Sequence, residues 1–81
     1  MTEVLEGNLL RDWRRGAGLT QAVLARQAVI SRTSVSHVEC GRYRPSITFA
    51  TKVCRALSAR FKRRVELWQV FPHTFRCPPG L

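Results

Sequence analysis

Polar side chains recur on one face of the segment from residue 31 to residue 40. Its apolar residues, Val35 and Val38, have helical spacing, which turns Arg32, Thr33, Ser36 and His37 outward. An arginine fork presents five N–H donors, and hydroxyl and imidazole groups add donors and acceptors. These groups suit hydrogen bonds to base edges and phosphates. The segment therefore has a polar, exposed face, which is compatible with a nucleic-acid partner.

Positive charge surrounds this segment. The chain has 14 Lys and Arg residues against 5 Asp and Glu, for a net charge of +9. No acid lies between Asp12 and Glu39 or between Glu39 and Glu66, and these two intervals hold twelve of the fourteen basic residues. Such a field attracts polyanions. The alternative, a solvated surface helix with charge that serves solubility, does not explain the acid-free face or the basic Arg42 and Arg44 that follow it.

Enzymatic and metal chemistry lack a matching pattern. His37 and His73 have no paired acid or nucleophile motif, and no phosphate-cradling glycine loop is present, so we expect neither an enzyme nor a cofactor. The cysteines Cys40, Cys54 and Cys77 are odd in number and widely spaced, unlike a disulfide framework or a zinc site. With no apolar run of membrane-spanning length and no signal-peptide start, we expect a cytoplasmic protein and no membrane partner.

An all-α domain must position these side chains. The 81 residues suffice for one domain, which we assign to residues 1–72. Residues 73–81 contain two consecutive prolines and are expected to form a flexible tail. Helical periodicity along the domain predicts a compact bundle of four to five helices.

Start and stop signals divide this bundle. The first helix is expected from Asn8 to Arg15, and Thr20, Ser31 and Ser46 are expected to cap helices over about 21–28, 31–40 and 46–61. The structure of a fifth segment, 65–71, stays open. The predicted inward residues are Leu10, Trp13, Ala17, Leu24, Ala25, Ala28, Val35, Val38, Ile47, Ala50, Val53, Cys54 and Leu57.

Nearly fifty residues, from Leu10 to Leu57, resemble the phage repressor and Cro-like family of helix-turn-helix regulators, also called the XRE family. The stretches that carry the resemblance read LTQAVLA at 19–25, ISRTSVSHVECG at 30–41 and GRYRPSI at 41–47. The resemblance implies a lambda-repressor-like domain with its motif over 21–41, binding to double-stranded DNA, a homodimer, and transcription regulation as a repressor or an activator. Family members also act as antitoxins or restriction-system controllers, so a role with a protein partner such as a toxin is the alternative. RNA binding ranks last.

The resemblance also implies roles for individual residues. Base contacts are expected from Arg32, Thr33, Ser36 and His37. Arg32 is the strongest candidate because its fork can pair with two acceptors of guanine. His37 has two interpretations, a solvated side chain or a contact to a base or phosphate.

Other positions are expected to contact the DNA backbone or to support the motif. Gln21 stands where the family's glutamine contacts a phosphate. Arg14 and Glu39 match a structural pair that joins helix 1 to the end of helix 3. The remaining expected backbone contacts are Ser34, Arg42, Tyr43 and Arg44.

Three features of the chain leave alternatives open. Val29 stands where the family's turn often has glycine, so either the turn is wider or a strained backbone is tolerated. The basic stretch 60–64 has no assigned role. The apolar side chains of Phe49, Phe61, Leu67 and Trp68 form either a dimer interface or part of the core.

Overall fold

The structure, a computed structural model, describes residues 8–72, 74 and 75, and these residues form five helices and no strand. The expected all-α fold is confirmed. Across the described residues, no helix is long and apolar enough to span a membrane. The predicted tail lies outside the described residues except for Thr74 and Phe75. The helices are α1 (Leu10–Gly16), α2 (Gln21–Ala28), α3 (Arg32–Glu39), α4 (Ile47–Phe61) and α5 (Leu67–Val70).

The predicted caps begin the three central helices. In each, a hydroxyl oxygen accepts a hydrogen bond from the backbone N–H three residues later, which satisfies a donor that the helix itself leaves unpaired. The cap residues Thr20, Ser31 and Ser46 accept from Val23, Ser34 and Phe49 at 3.1, 3.0 and 3.1 Å.

The first helix begins two residues later than predicted. The side-chain oxygen of Asn8 accepts a hydrogen bond from the Leu10 N–H at 3.1 Å, so Asn8 precedes the helix rather than opening it. The Asn8 amide also donates to the Val38 carbonyl at 2.9 Å. This residue therefore ties the start of α1 to the last turn of α3.

The core lies between these helices and contains most of the predicted inward residues, while Trp13 is partly buried against it. Ile47 was predicted to face inward, and this is wrong because its side chain is 64% exposed. Side chains on a helix tilt toward its N-terminus, so that of a first residue points past the end of the core. Phe49 fills this part of the core, with its ring centroid 6.5 Å from that of Phe71.

Four helices end in the same backbone turn. The residue at the left-handed position is Gly18, Val29, Gly41 or Lys62, with φ of 74°, 59°, 80° and 56°. The N–H of the residue after it bonds back to a carbonyl five residues earlier, which is the Schellman arrangement. These bonds join Leu19 to Arg14, Ile30 to Ala25, Arg42 to His37 and Arg63 to Ser58.

The first and last helices close the bundle. The Leu9 N–H donates to the Val70 carbonyl at 2.9 Å, and the Trp13 indole N–H donates to the Gln69 carbonyl at 3.2 Å. The Trp13 ring also meets the Phe61 ring edge to face, with centroids 5.5 Å apart. The predicted fifth segment is therefore a one-turn helix that packs onto α1.

Candidate nucleic-acid interface

The outer face of α3 carries the predicted base-contacting side chains. Arg32 and Thr33 are exposed in its first turn, and Ser36 and His37 are half-buried farther along. The opposite face is anchored, because Val35 and Val38 are buried in the core. The helix therefore presents a polar face on a rigid support.

The turn between α2 and α3 consists of residues 29–31 and has the valine at its left-handed position. Val29 adopts the left-handed conformation, with φ 59° and ψ 51°, so the second of the two alternatives holds and strain is tolerated. Its side chain is 76% exposed. Ala25, predicted to point inward, is 4% exposed, and α2 packs against α3.

The loop after α3 lies beside the outer face of that helix. Gly41 takes φ 80° and ends the helix, and Arg42, Tyr43 and Arg44 follow as exposed residues. A surface cavity of about 330 Å³ is lined by Ser34, Tyr43 and Arg44 together with Val38, Pro45, Ser46 and Phe49. The structure thus brings three of the expected backbone-contacting residues to one place.

Glu39 connects α3 to both preceding helices. Its carboxylate accepts hydrogen bonds from Arg14 Nε at 2.6 Å and from Gln21 Nε2 at 3.1 Å. Arg11 adds a longer contact at 3.5 Å that sequence reasoning missed. The Glu39 side chain is fully buried and Arg14 is 9% exposed, so this is a buried charge pair.

The environment of Glu39 favours its charged form. Burial acts to raise the pKa of the carboxyl, but hydrogen bonds from Arg14 and Gln21 and the charge of Arg14 outweigh it. The pKa of Glu39 therefore lies below its ordinary value. Arg14 also donates to the Leu19 carbonyl at 2.8 Å, which occupies its remaining end.

Gln21 keeps a donor despite its contact with Glu39. A primary amide nitrogen carries two N–H groups, and one of them donates to the carboxylate. A cavity of about 500 Å³ at the start of α2 is lined by Gln21, Arg15 and Arg32 among others. The ends of three helices therefore converge on this cavity. Arg15 was missed by the sequence prediction, although its basic type at the end of a helix was a usable signal.

The basic stretch 60–64 is held by contacts within the domain. Arg60 Nε donates to the Ala17 carbonyl at 2.8 Å, which caps the end of α1. The Arg63 guanidinium lies 5.4 Å from the centre of the Trp13 ring, a cation–π distance. Arg64 pairs with Glu66 at 2.7 Å. Arg60 and Arg63 therefore join the end of α4 to Ala17 and Trp13, which is a structural role, whereas the Arg64 side chain is 85% exposed.

The four apolar candidates for a dimer interface separate into two groups. Phe49 is 8% exposed within the core, so it has little area to offer a partner. Phe61 and Leu67 are partly buried against the core, and Trp68 is half-buried.

Comparisons with known proteins point to one class. The sequence profile described as a helix-turn-helix domain matches residues 7–67. A relative from Methanothermobacter thermautotrophicus, named an uncharacterized HTH-type transcriptional regulator, is 41% identical over 49 residues, which cover 60% of this chain and 71% of the relative. A relative from Archaeoglobus fulgidus with the same name is 34% identical over 53 residues, which cover 65% and 76%.

Proposed function

Because this chain belongs to the helix-turn-helix domain family and is a DNA-binding transcriptional regulator, we propose that it reads duplex DNA by placing α3 in the major groove. The groove is roughly 12 Å wide and admits one α-helix. In this arrangement α2 lies across the DNA backbone and braces α3.

The observation that carries this proposal is the acid-free outer face of α3 on a fixed support. The only acidic residue of α3 is Glu39. Its side chain is buried and paired with Arg14, so its charge does not repel phosphate. The Glu39 contacts with α1 and α2 fix the angle of α3, and a fixed angle is what sequence reading requires.

Roles follow from exposure and donor geometry. Arg32, Thr33 and Ser36 are the base readers, with Arg32 pairing to guanine through its fork. His37 has a different role, because its ring packs against Tyr43. Phosphate contacts come from Gln21, Ser34, Arg42, Tyr43 and Arg44.

The active form is a homodimer in the cytoplasm. One short recognition helix reads few base pairs, and a two-fold pair of helices doubles the contacted sequence. Phe61, Leu67 and Trp68 are the candidate interface residues, since each keeps some exposure. Sedimentation that shows only monomer, both free and on DNA, would contradict the dimer.

The test of the reading function compares two arginines. Arg32→Ala should weaken binding to the selected duplex by about 1–3 kcal/mol and leave binding to random duplex nearly unchanged, because a base contact is lost. Arg44→Ala should weaken both similarly and lower the salt slope by about one unit, because one fewer counterion is released.

The measurement is a titration of each variant against both duplexes at several salt concentrations. The selected duplex comes from enrichment of bound genomic fragments, examined for a two-fold repeat. Equal losses on both duplexes for Arg32→Ala, or a loss confined to the selected duplex for Arg44→Ala, would contradict the assignment of roles.

A further inference from the structure

His37 makes its closest contacts with the loop that follows its own helix. Its carbonyl oxygen accepts hydrogen bonds from the N–H groups of Arg42 at 2.9 Å and Tyr43 at 3.4 Å. Its ring meets the Tyr43 ring edge to face, with centroids 4.8 Å apart and planes at 90°. Backbone and side chain of one residue therefore both hold the start of the loop.

The His37 ring is not placed to bind DNA with both of its nitrogens, because one of them is buried. Nδ1 is buried and has no hydrogen-bond partner among the described residues. A buried polar atom without a partner lowers the stability of the fold. No hydrogen bond from Nδ1 to a described residue holds the ring in this position. What holds it is contact with Tyr43, since edge-to-face ring pairs stabilise beyond simple burial.

The side chains of this loop are largely exposed. Tyr43 is 58% exposed, and its neighbours Arg42 and Arg44 are also exposed. The aromatic pair is therefore a packing contact that fixes the direction in which this part of the loop leaves α3. The three loop residues are the ones proposed above to contact phosphate.

We infer that His37 is a positioning residue, which holds the loop 42–44 in place for phosphate contact and does not read a base. The inference rests on the proposed function. His37 thus has a packing role, although it lies on α3 beside the residues proposed to read bases.

The test uses two substitutions at His37. His37→Phe keeps an aromatic ring beside Tyr43 but has no ring nitrogen, whereas His37→Ala removes the ring. With His37→Phe, affinity for the selected and random duplexes should stay within about twofold, and the melting temperature should stay equal or rise, because the unpaired buried nitrogen is gone. With His37→Ala, both affinities should fall together by about tenfold, the effect of one lost hydrogen bond to a charged group, and the salt slope should fall by about one unit.

A second measurement reports on the loop without DNA. Amide hydrogen exchange at Arg42 and Tyr43 should accelerate in His37→Ala and stay at the wild-type rate in His37→Phe. Arg32→Ala is the matched control, because it lies on the same helix and should leave these amides unchanged.

The outcomes separate the inference from the function on which it rests. If His37→Phe loses affinity for the selected duplex alone, the ring nitrogens read a base and the inference is wrong. It is also wrong if His37→Phe behaves like His37→Ala, or if loop exchange is unchanged in His37→Ala. If the wild-type chain binds no duplex, the proposed function fails, and the inference fails with it.

Discussion

The turns that end α2 and α3 have the same backbone hydrogen bonds but differ in the residue at the left-handed position. In α2 the residue is Val29, and in α3 it is Gly41. The closing bonds are equally short, at 2.9 Å for both Ile30 and Arg42. A valine at this position is strained because its Cβ crowds the backbone, whereas glycine has no Cβ.

The residue after each of these two positions differs as well. After Val29 comes Ile30, which is partly buried against the core. After Gly41 comes Arg42, which is exposed. Burial of an apolar side chain at this place accompanies many such turns and helps to hold them. In this pair of turns, the strained residue therefore stands where packing holds the turn. The turns of α1 and α4 differ, because Gly18 precedes the buried Leu19 and Lys62 precedes the exposed Arg63.

The last turn of each helix is also held differently. α2 ends on the buried, apolar Ala28, whereas α3 ends on Glu39 and its buried partner Arg14. Packing therefore holds the end of α2, and charge pairing holds the end of α3. Amide exchange at Ile30 and Arg42, the donors of the two closing bonds, reports on the two turns separately.

The largest expected effect comes from removing the charge pair. Glu39→Ala should lower the free energy of unfolding by about 3–5 kcal/mol, because it leaves Arg14 buried without its partner. Denaturant unfolding measures the loss. Below the transition, exchange should accelerate more at Arg42 than at Ile30. Equal acceleration at both amides would show that the two turns are not held independently.

Acid should act on the same pair. The pKa of Glu39 is lowered in the folded chain, so its contribution to stability is complete above the ordinary carboxyl pKa of about 4.3 and is lost as the pH falls toward the folded value. Glu39→Gln serves as the control and should lose less stability than wild type over this pH range. Parallel pH profiles for the two proteins would contradict this contribution.

An intermediate effect is expected when the strained residue is placed in the unsupported turn. Gly41→Val should lower the free energy of unfolding by about 1–2 kcal/mol, the cost of a left-handed conformation for an L-residue. Gly41→Asn should cost less, because asparagine visits this conformation more readily. Thermal unfolding gives the order of the three proteins. Equal costs for valine and asparagine would mean that the conformation of residue 41 is not the cause.

The smallest effect should come from relieving the strain in the supported turn. Val29→Gly should raise the free energy of unfolding by about 0.5–1 kcal/mol, since the relief exceeds the greater entropy lost by glycine and the exposed side chain packs little. A denaturant midpoint shifted upward with an unchanged slope would support this. A downward shift would show instead that the Val29 side chain stabilises the turn.

Local signals predicted the helices well. The caps Thr20, Ser31 and Ser46 act within three residues, so sequence spacing alone determined where α2, α3 and α4 begin. Gly41 adopts the left-handed conformation that its residue type favours. Val29 was recognised as a departure, but the choice between a wider turn and strain depends on packing around Ile30, which sequence does not show.

Contacts distant in sequence escaped prediction. Gln21 was interpreted only as a phosphate contact, and its bond to Glu39 spans 18 positions. The basic stretch was left without a role because its contacts are distant in sequence. Arg60 binds Ala17, 43 positions away, and Arg63 lies against Trp13 in α1. Such pairs depend on how helices dock, which is decided by the whole core. The assignment of base and phosphate contacts stays a prediction.

The closure of α1 against α5 has a consequence for synthesis of the chain. The bonds from Leu9 to Val70 and from Trp13 to Gln69 join the first helix to residues that a ribosome adds about sixty positions later. The helix-turn-helix segment, in contrast, relies mostly on neighbours within a few dozen residues, and local contacts form fastest. The segment that binds DNA is therefore able to form on the nascent chain before α1 has its final partners. The core is complete only after the buried Phe71 has been added.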